Sequence, residues 1–149
     1  MTAPLTFQVT LDCADPHALA EWWSETIGWP VEPTDAAFIQ QMVDAGHATE
    51  ADTRIYNGQL VWATGAAISV PDAPEGSPCR RFLFQAVPEQ RIVKNRMHLD
   101  VRVTPGTDLD AARDALLARG ATFLHEATEG PMHRWYTMAD PEGNEFCIT

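Results

Sequence analysis

The sequence has 149 residues, of which 45% are hydrophobic, and it carries a formal net charge of −11. This length and apolar fraction allow one domain with a sizeable core or two small halves, and no apolar run is long enough to cross a membrane. The negative charge argues against a nucleic-acid partner, because phosphates would be repelled.

Cysteine usage and the N-terminal stretch indicate the compartment. The three cysteines, Cys13, Cys79 and Cys147, are odd in number and lack a CxxC spacing, which favours reduced thiols over a disulfide framework. The stretch MTAPLTFQV has neither the basic nor the hydrophobic region of a signal peptide. We therefore predict a cytoplasmic protein without a membrane segment.

The first predicted elements are a strand and a helix. FQVTLDC alternates apolar and polar residues from Phe7 to Cys13, which is typical of a half-buried strand. Asp15 is a good N-cap, Pro16 suits the first helical position, and Gly28 suits the C-terminal cap. The sequence therefore predicts a helix between Asp15 and Gly28.

An insert and several strands complete the first half. AAFIQQMVDAG predicts a short helix within an insert of about 36–53. Asn57-Gly58, between two strand-like runs, predicts a two-residue hairpin. Strands are predicted near 54–56, 59–63, 66–70 and 81–87.

The second half repeats the strand and the helix. MHLDVRV alternates like the first strand, and TDLDAARDALLARG predicts a helix with Thr107 as its N-cap. Gln8 lies 90 residues before His98. The chain therefore contains two copies of one strand–helix–strands pattern, and their exposed sheet faces predict that the copies pack together.

The chain ends on a turn and a short strand. Asp140-Pro141-Glu142-Gly143 predicts the turn. In the strand that follows, Phe146 and Ile148 face one side of a sheet, and Glu145 and Cys147 face the other.

Half of the ten basic residues lie in one short stretch, namely Arg80, Arg81, Arg91, Lys94 and Arg96. The stretch either binds an anionic group or forms a solvated loop, and the sequence leaves both interpretations open.

The stretches QVTLDCADP, NRMHLDVRV and MADPEGNEFC resemble the vicinal oxygen chelate superfamily, and more closely its glyoxalase-like and bleomycin-resistance branch. The resemblance covers essentially the whole chain. It implies an α+β fold in which two βαβββ modules form a curved, mostly antiparallel sheet around a cavity. We expect one domain over 1–149, with module 1 at about 5–90 and module 2 at about 95–149. Relatives are often homodimers, so the resemblance also implies a homodimer.

In metal-dependent members of the superfamily, four ligand positions line the cavity. The resemblance maps them onto Gln8, Gln85, His98 and Cys147. Two neutral amides, one imidazole and one thiol are poor ligands for a hard divalent cation, which prefers carboxylate oxygen. We therefore expect no metal and no other cofactor.

Two functions remain open, and so does the question whether the protein is an enzyme. The first is metal-free binding of a small organic ligand in the inter-module cavity; the net acidity would suit a cationic, aromatic guest. The alternative is a lyase or isomerase that uses either a degenerate metal site or His98 and Glu145 as a catalytic acid–base pair. Tyr56, Trp62 and Trp135 lie on predicted strands and either line the cavity or belong to the core.

Overall fold

The computed structural model describes residues 5–149 and divides into two compact units, the first ending at Pro88 and the second comprising Glu89–Thr149. The elements of the first unit are β1 (Val9–Cys13), α1 (Pro16–Ile27), α2 (Ala36–Asp44), a 3-10 helix (Glu50–Asp52), β2 (Thr53–Tyr56), β3 (Gln59–Trp62), β4 (Gly65–Ser69) and β5 (Arg81–Ala86). Those of the second are β6 (Leu99–Val101), α3 (Leu109–Ala118), β7 (Thr122–Glu129), β8 (His133–Ala139) and β9 (Glu145–Ile148). No helix among residues 5–149 is long and apolar enough to span a membrane.

The first unit packs α1 on a three-stranded sheet. The sheet has the order β1-β5-β4, with β1 parallel to β5 and β5 antiparallel to β4. The predicted helix is confirmed, and its buried stripe includes Trp23, whose ring lies 5.5 Å from that of Phe82. Phe82 stacks in turn on Phe84 at 4.5 Å. An aromatic cluster therefore forms the core of this unit.

The segment between α1 and β4 contains α2, the 3-10 helix and the β2–β3 hairpin. Val31 forms a bridge with Ile68 of β4, so the chain already touches the sheet before α2 begins. In the described part of the chain, β2 and β3 pair only with each other. Their turn is the predicted Asn57-Gly58 hairpin, with φ of 49° and 78°, a conformation that asparagine and glycine tolerate best.

The second unit repeats the arrangement with four strands in the order β6-β9-β8-β7. As β1 does with β5, β6 runs parallel to the last strand of its unit, β9. The face of the sheet that carries Tyr136, Met138 and Phe146 is buried, and the Tyr136 hydroxyl donates a hydrogen bond to Asp110 of α3. This parallel first-to-last pairing in both units confirms the predicted α+β fold of two related modules.

The N-cap of α3 is Asp108 and not the predicted Thr107. Asp108 accepts a hydrogen bond from the Asp110 amide at 3.1 Å. The Thr107 amide is used in a preceding turn, where it donates to the Thr104 carbonyl at 2.9 Å. The helix therefore begins one residue later than predicted.

The turn before β9 is held by one buried carboxylate. Asp140 is 2% exposed and accepts hydrogen bonds from the Glu142 amide at 2.9 Å and from the Asn144 amide at 3.0 Å. Gly143 closes the turn at φ 88°, where a side chain would be strained. The DPEGN motif thus fixes where β9 starts, and with it which side chains of β9 reach each face of the sheet.

Candidate functional site

The candidate site lies on the face of the second unit's sheet opposite to Tyr136 and Phe146. Strand register places four polar residues in one row across that face: Asp100 pairs with Cys147, Cys147 with Thr137, and Thr137 with His125. Because side chains alternate along a strand, His98, Trp135 and Glu145 project from the same face. Polar and aromatic residues therefore occupy the face that α3 does not cover.

These residues line a cavity of about 770 Å³. Every lining residue belongs to the second unit: Lys94, His98, Asp100, Arg102, Val103, His125, His133, Trp135, Thr137, Glu145, Cys147 and Thr149. Four of the predicted site residues, His98, Trp135, Glu145 and Cys147, are thus brought together.

His98, Asp100 and Cys147 form the closest cluster in the cavity. One donor atom from each lies within 4.8 Å of those of the other two. His98 Nδ1 is 3.2 Å from the Asp100 carboxylate. Burial raises the pKa of the Cys147 thiol, and the hydrogen bond between Cys147 and Thr137 opposes this without cancelling it.

The fit of a metal can be tested on this cluster. The expectation of a metal-free protein rested on the lack of a carboxylate among the four ligand positions. Asp100 supplies one beside His98 and Cys147, and imidazole, carboxylate and thiolate are ligands that zinc accepts. The three residues therefore fit a zinc-type ion chemically, although the thiol would have to lose its proton.

Glu145 is already engaged by two neighbours. Its side chain is only 8% exposed, one carboxylate oxygen accepts from Arg91 Nη1 at 3.0 Å, and the other accepts from the Asn95 amide at 3.1 Å. The carboxylate therefore anchors the segment that leads into β6, and an acid–base role would compete with these bonds.

Gln8 and Gln85 lie in the first unit. Gln8 accepts a hydrogen bond from Arg81 at 3.2 Å and borders a small cavity of about 350 Å³. Gln85 is exposed and pairs with Asp12 of β1. By strand register the residue that corresponds to Cys147 in the first unit is Leu83, which pairs with Thr10 as Cys147 pairs with Asp100. By this register, the position equivalent to Cys147 lies two residues before Gln85, the position that the resemblance implies.

Tyr56 and Trp62 also lie in the first unit, around the buried His17. The His17 ring stacks on Tyr56 at 5.0 Å, and its Nε2 lies 2.8 Å from the Trp62 carbonyl oxygen. Burial, followed by the hydrogen bond to Glu21, raises the pKa of Tyr56 to about 12. Trp62 additionally borders a first-unit cavity of about 420 Å³.

Several lining residues were not singled out by the sequence as site residues, among them Asp100, Arg102, His125, His133 and Thr137. The alternation of His98, Asp100 and Arg102 was a usable signal, since residues two apart on a strand share a face. His125 and His133 gave no signal, because only the pairing of β7 with β8 brings them to the cavity.

Comparison with known proteins identifies the family of the chain. A family model described as a glyoxalase-like domain matches residues 8–149. The chain belongs to the glyoxalase-like domain family. This membership places it in the vicinal oxygen chelate superfamily. No curated protein matches the sequence at a significant level.

Solved structures of similar fold include other glyoxalase-like proteins. A possible glyoxalase from Bacillus cereus has 14% identity and a TM-score of 0.58, with 99% of each chain covered. A glyoxalase/bleomycin resistance protein/dioxygenase family enzyme from Burkholderia phytofirmans has 15% identity and a TM-score of 0.58, covering 95% of this chain and 94% of that one. A bleomycin-binding protein from Streptomyces verticillus, solved with copper(II)-bleomycin, has 19% identity and a TM-score of 0.50. The match covers 100% of this chain and 98% of that one. At these identities the likeness establishes the fold alone.

Proposed function

We propose that this glyoxalase-like protein binds a small organic ligand, without a metal, in the cavity of its second unit. The observation that carries the proposal is the cavity itself, whose volume of about 770 Å³ falls within the roughly 300–1,000 Å³ usual for small-molecule sites. The solved relative from Streptomyces verticillus binds copper(II)-bleomycin on the same fold, which supports binding as a function of such scaffolds.

The residues of the cavity have distinct roles in this proposal. The rings of His133 and Trp135, 5.2 Å apart, form an aromatic wall for an apolar part of the ligand. His98 and Thr137 offer hydrogen bonds to a polar part. Asp100 orients the His98 ring by its contact with Nδ1, which leaves Nε2 for the ligand.

A screen of small metabolites by thermal shift tests the proposal, since a ligand of the folded state raises the melting temperature by mass action. Hits should lose affinity in Trp135→Ala and His98→Ala and keep it in His47→Ala, a substitution of an exposed histidine in the first unit. A screen without hits, or hits unaffected by both cavity substitutions, would contradict the proposal.

Metal content is the second measurement. Protein purified without added metal should contain no stoichiometric metal, and His98→Ala should not change the content. Stoichiometric metal that disappears in His98→Ala would contradict metal-free binding.

The position of Asp100 favours one second candidate, a metal-dependent lyase or isomerase. His98, Asp100 and Cys147 would hold the ion, which would supply Lewis-acid polarisation of a substrate oxygen. Titration with Zn²⁺ by equilibrium dialysis tests it: one bound equivalent, lost in Asp100→Asn and retained in Asp114→Asn on the surface of α3, would favour this candidate.

We also infer a cytoplasmic homodimer. None of the three cysteines forms a disulfide, which fits a reducing compartment, and the dimer is inferred from relatives. Light scattering should give twice the chain mass of 16.5 kDa. A mass equal to one chain would contradict the dimer.

A further inference from the structure

The cavity of the second unit does not share the strong negative charge of the chain as a whole. The net charge of −11 would suit a cationic guest. Around the cavity, however, two cations, Lys94 and Arg102, balance the two side-chain carboxylates, Asp100 and Glu145.

Both carboxylates already have cationic or hydrogen-bonding partners. Asp100 faces His98 Nδ1 at 3.2 Å, and Glu145 accepts from Arg91 and from the Asn95 amide. By contrast, neither Lys94 nor Arg102 forms an ion pair with any carboxylate in the part of the chain that the structure describes. The charged side chains of the lining that have no ion-pair or hydrogen-bonding partner in the described residues are therefore the two cations.

A cation without a protein partner at a cavity wall is matched best by an anionic ligand group. Arg102 presents a planar guanidinium that can hold a carboxylate with two parallel hydrogen bonds. Lys94 adds a compact positive charge. The tilted rings of His133 and Trp135, 5.2 Å apart on the same cavity, offer a surface for a flat ring.

We propose that the cavity selects small organic anions in which a carboxylate is attached to a planar ring, with Arg102 and Lys94 binding the carboxylate and His133 and Trp135 contacting the ring. The inference rests on the proposed function and names its ligand class. It reverses the preference that the net charge of the chain suggests.

Three probes of nearly equal shape separate charge from shape: benzoate is anionic, benzamide is neutral and benzamidine is cationic. Each is titrated into the full-length protein, and binding is followed by NMR through the Trp135 indole and the Cys147 amide. Benzoate should move both signals and bind more tightly than the other two. Added salt should weaken the binding of benzoate and leave the binding of benzamide unchanged, because salt screens only the charged interaction.

Substitutions then locate the charge recognition. Arg102→Gln should weaken the affinity for benzoate about tenfold, which is the effect of losing one charge-assisted contact. Lys94→Gln should cause a smaller loss of affinity. Arg96→Gln removes an exposed arginine from the same region that does not line the cavity, so it should not change benzoate binding. The amide spectrum of each variant shows whether it has kept its fold.

The outcomes separate the two proposals. Benzamide or benzamidine binding as tightly as benzoate in this cavity would overturn the anion preference and leave small-molecule binding intact. An equal loss in Arg102→Gln and Arg96→Gln would also overturn it. If none of the three probes moves the Trp135 or Cys147 signals, the anion preference fails, and binding as a function then fails only if the metabolite screen is also without hits.

Discussion

At the scale of single residues, the pKa of the Cys147 thiol depends on its surroundings. It is 8% exposed, it faces Thr137 at 3.6 Å, and the carboxylate of Asp100 lies beside it. Burial raises the pKa of the thiol, so less thiolate is present at any given pH than for an ordinary cysteine.

We expect iodoacetamide to alkylate Cys147 more slowly than the partly exposed Cys79 at about pH 8, since only the thiolate reacts and its pKa usually lies near 8.5. The Cys147 rate should keep rising at a pH where an ordinary thiol has reached its plateau. Mass spectrometry of time points measures both sites in one sample. Equal rates would mean that the thiol is neither buried nor raised in pKa.

The raised pKa of Cys147 also affects stability. Folding favours the protonated thiol, so its contribution is complete below the unfolded thiol pKa and is lost as pH rises through the higher folded value. The free energy of unfolding should therefore fall above about pH 8.5, and the fall should be smaller in Cys147→Ala. Urea melts at several pH values measure it, and identical pH dependence in the two proteins would contradict the assignment.

Among the residues near the site, Asp140 is the one whose substitution we expect to lower the stability of the protein most. Asp140→Ala leaves the amides of Glu142 and Asn144 without their buried acceptor, which should destabilise the protein by about 2–4 kcal/mol. Glu89→Ala, at an exposed position outside the helices and strands, is the control and should change stability little. Equal denaturation midpoints for the two variants would show that the turn does not depend on Asp140.

At the scale of elements, the start of α1 joins a cap to an ion pair. The Asp15 carboxylate accepts from the Ala18 amide at 3.2 Å and pairs with Arg54 of β2 at 3.2 Å. Burial alone would raise the pKa of Asp15, but these two contacts and a hydrogen bond from the His17 amide together lower it. The contribution of Asp15 is therefore present above the unfolded pKa and lost as pH falls through the lower folded value.

Asp15→Ala should destabilise the protein by about 1 kcal/mol, the usual effect of a lost N-cap. Asp15→Asn keeps a side-chain acceptor for Ala18 and removes only the ion pair with Arg54. Because that pair is partly exposed, Asp15→Asn should cost less than Asp15→Ala. Urea denaturation compares them, and a larger loss in Asp15→Asn would mean that the ion pair outweighs the cap.

At the scale of the whole molecule, the charge around the cavity differs from the average charge of the chain. The chain has 21 acidic and 10 basic residues, and its isoelectric point is about 4.6. Yet the cavity of the second unit is lined by two cations, Lys94 and Arg102, and by two side-chain carboxylates, each of which has a partner within the protein. Net charge therefore predicts solution behaviour and is a poor guide to the ligand of one cavity.

Solubility should reach its minimum near pH 4.6, where the net charge vanishes, and rise steeply towards neutral pH. Turbidity of the purified protein across a pH series measures this. A minimum far from pH 4.6 would mean that folding shifts the titration of many groups at once.

The sequence by itself determined the elements that depend on local chemistry. Asp15, Pro16 and Gly28 fixed the limits of α1 through capping, and Asn57-Gly58 fixed a hairpin because both residues tolerate positive φ. Alternation in the last strand placed Glu145 and Cys147 on one face, and the motifs of both halves identified the family. The exact start of α3 depended on a local turn at Thr104 that periodicity does not encode.

Only the tertiary structure decided which residues meet. Asp100 reaches Cys147 through parallel pairing of β6 with β9, and His125 reaches the cavity through the pairing of β7 with β8. Register sets these contacts, and a shift of two residues keeps the face while changing the neighbour, which is why Leu83, and not Gln85, corresponds to Cys147. The charge of the cavity was decided in the same way, because it depends on which carboxylates already have partners.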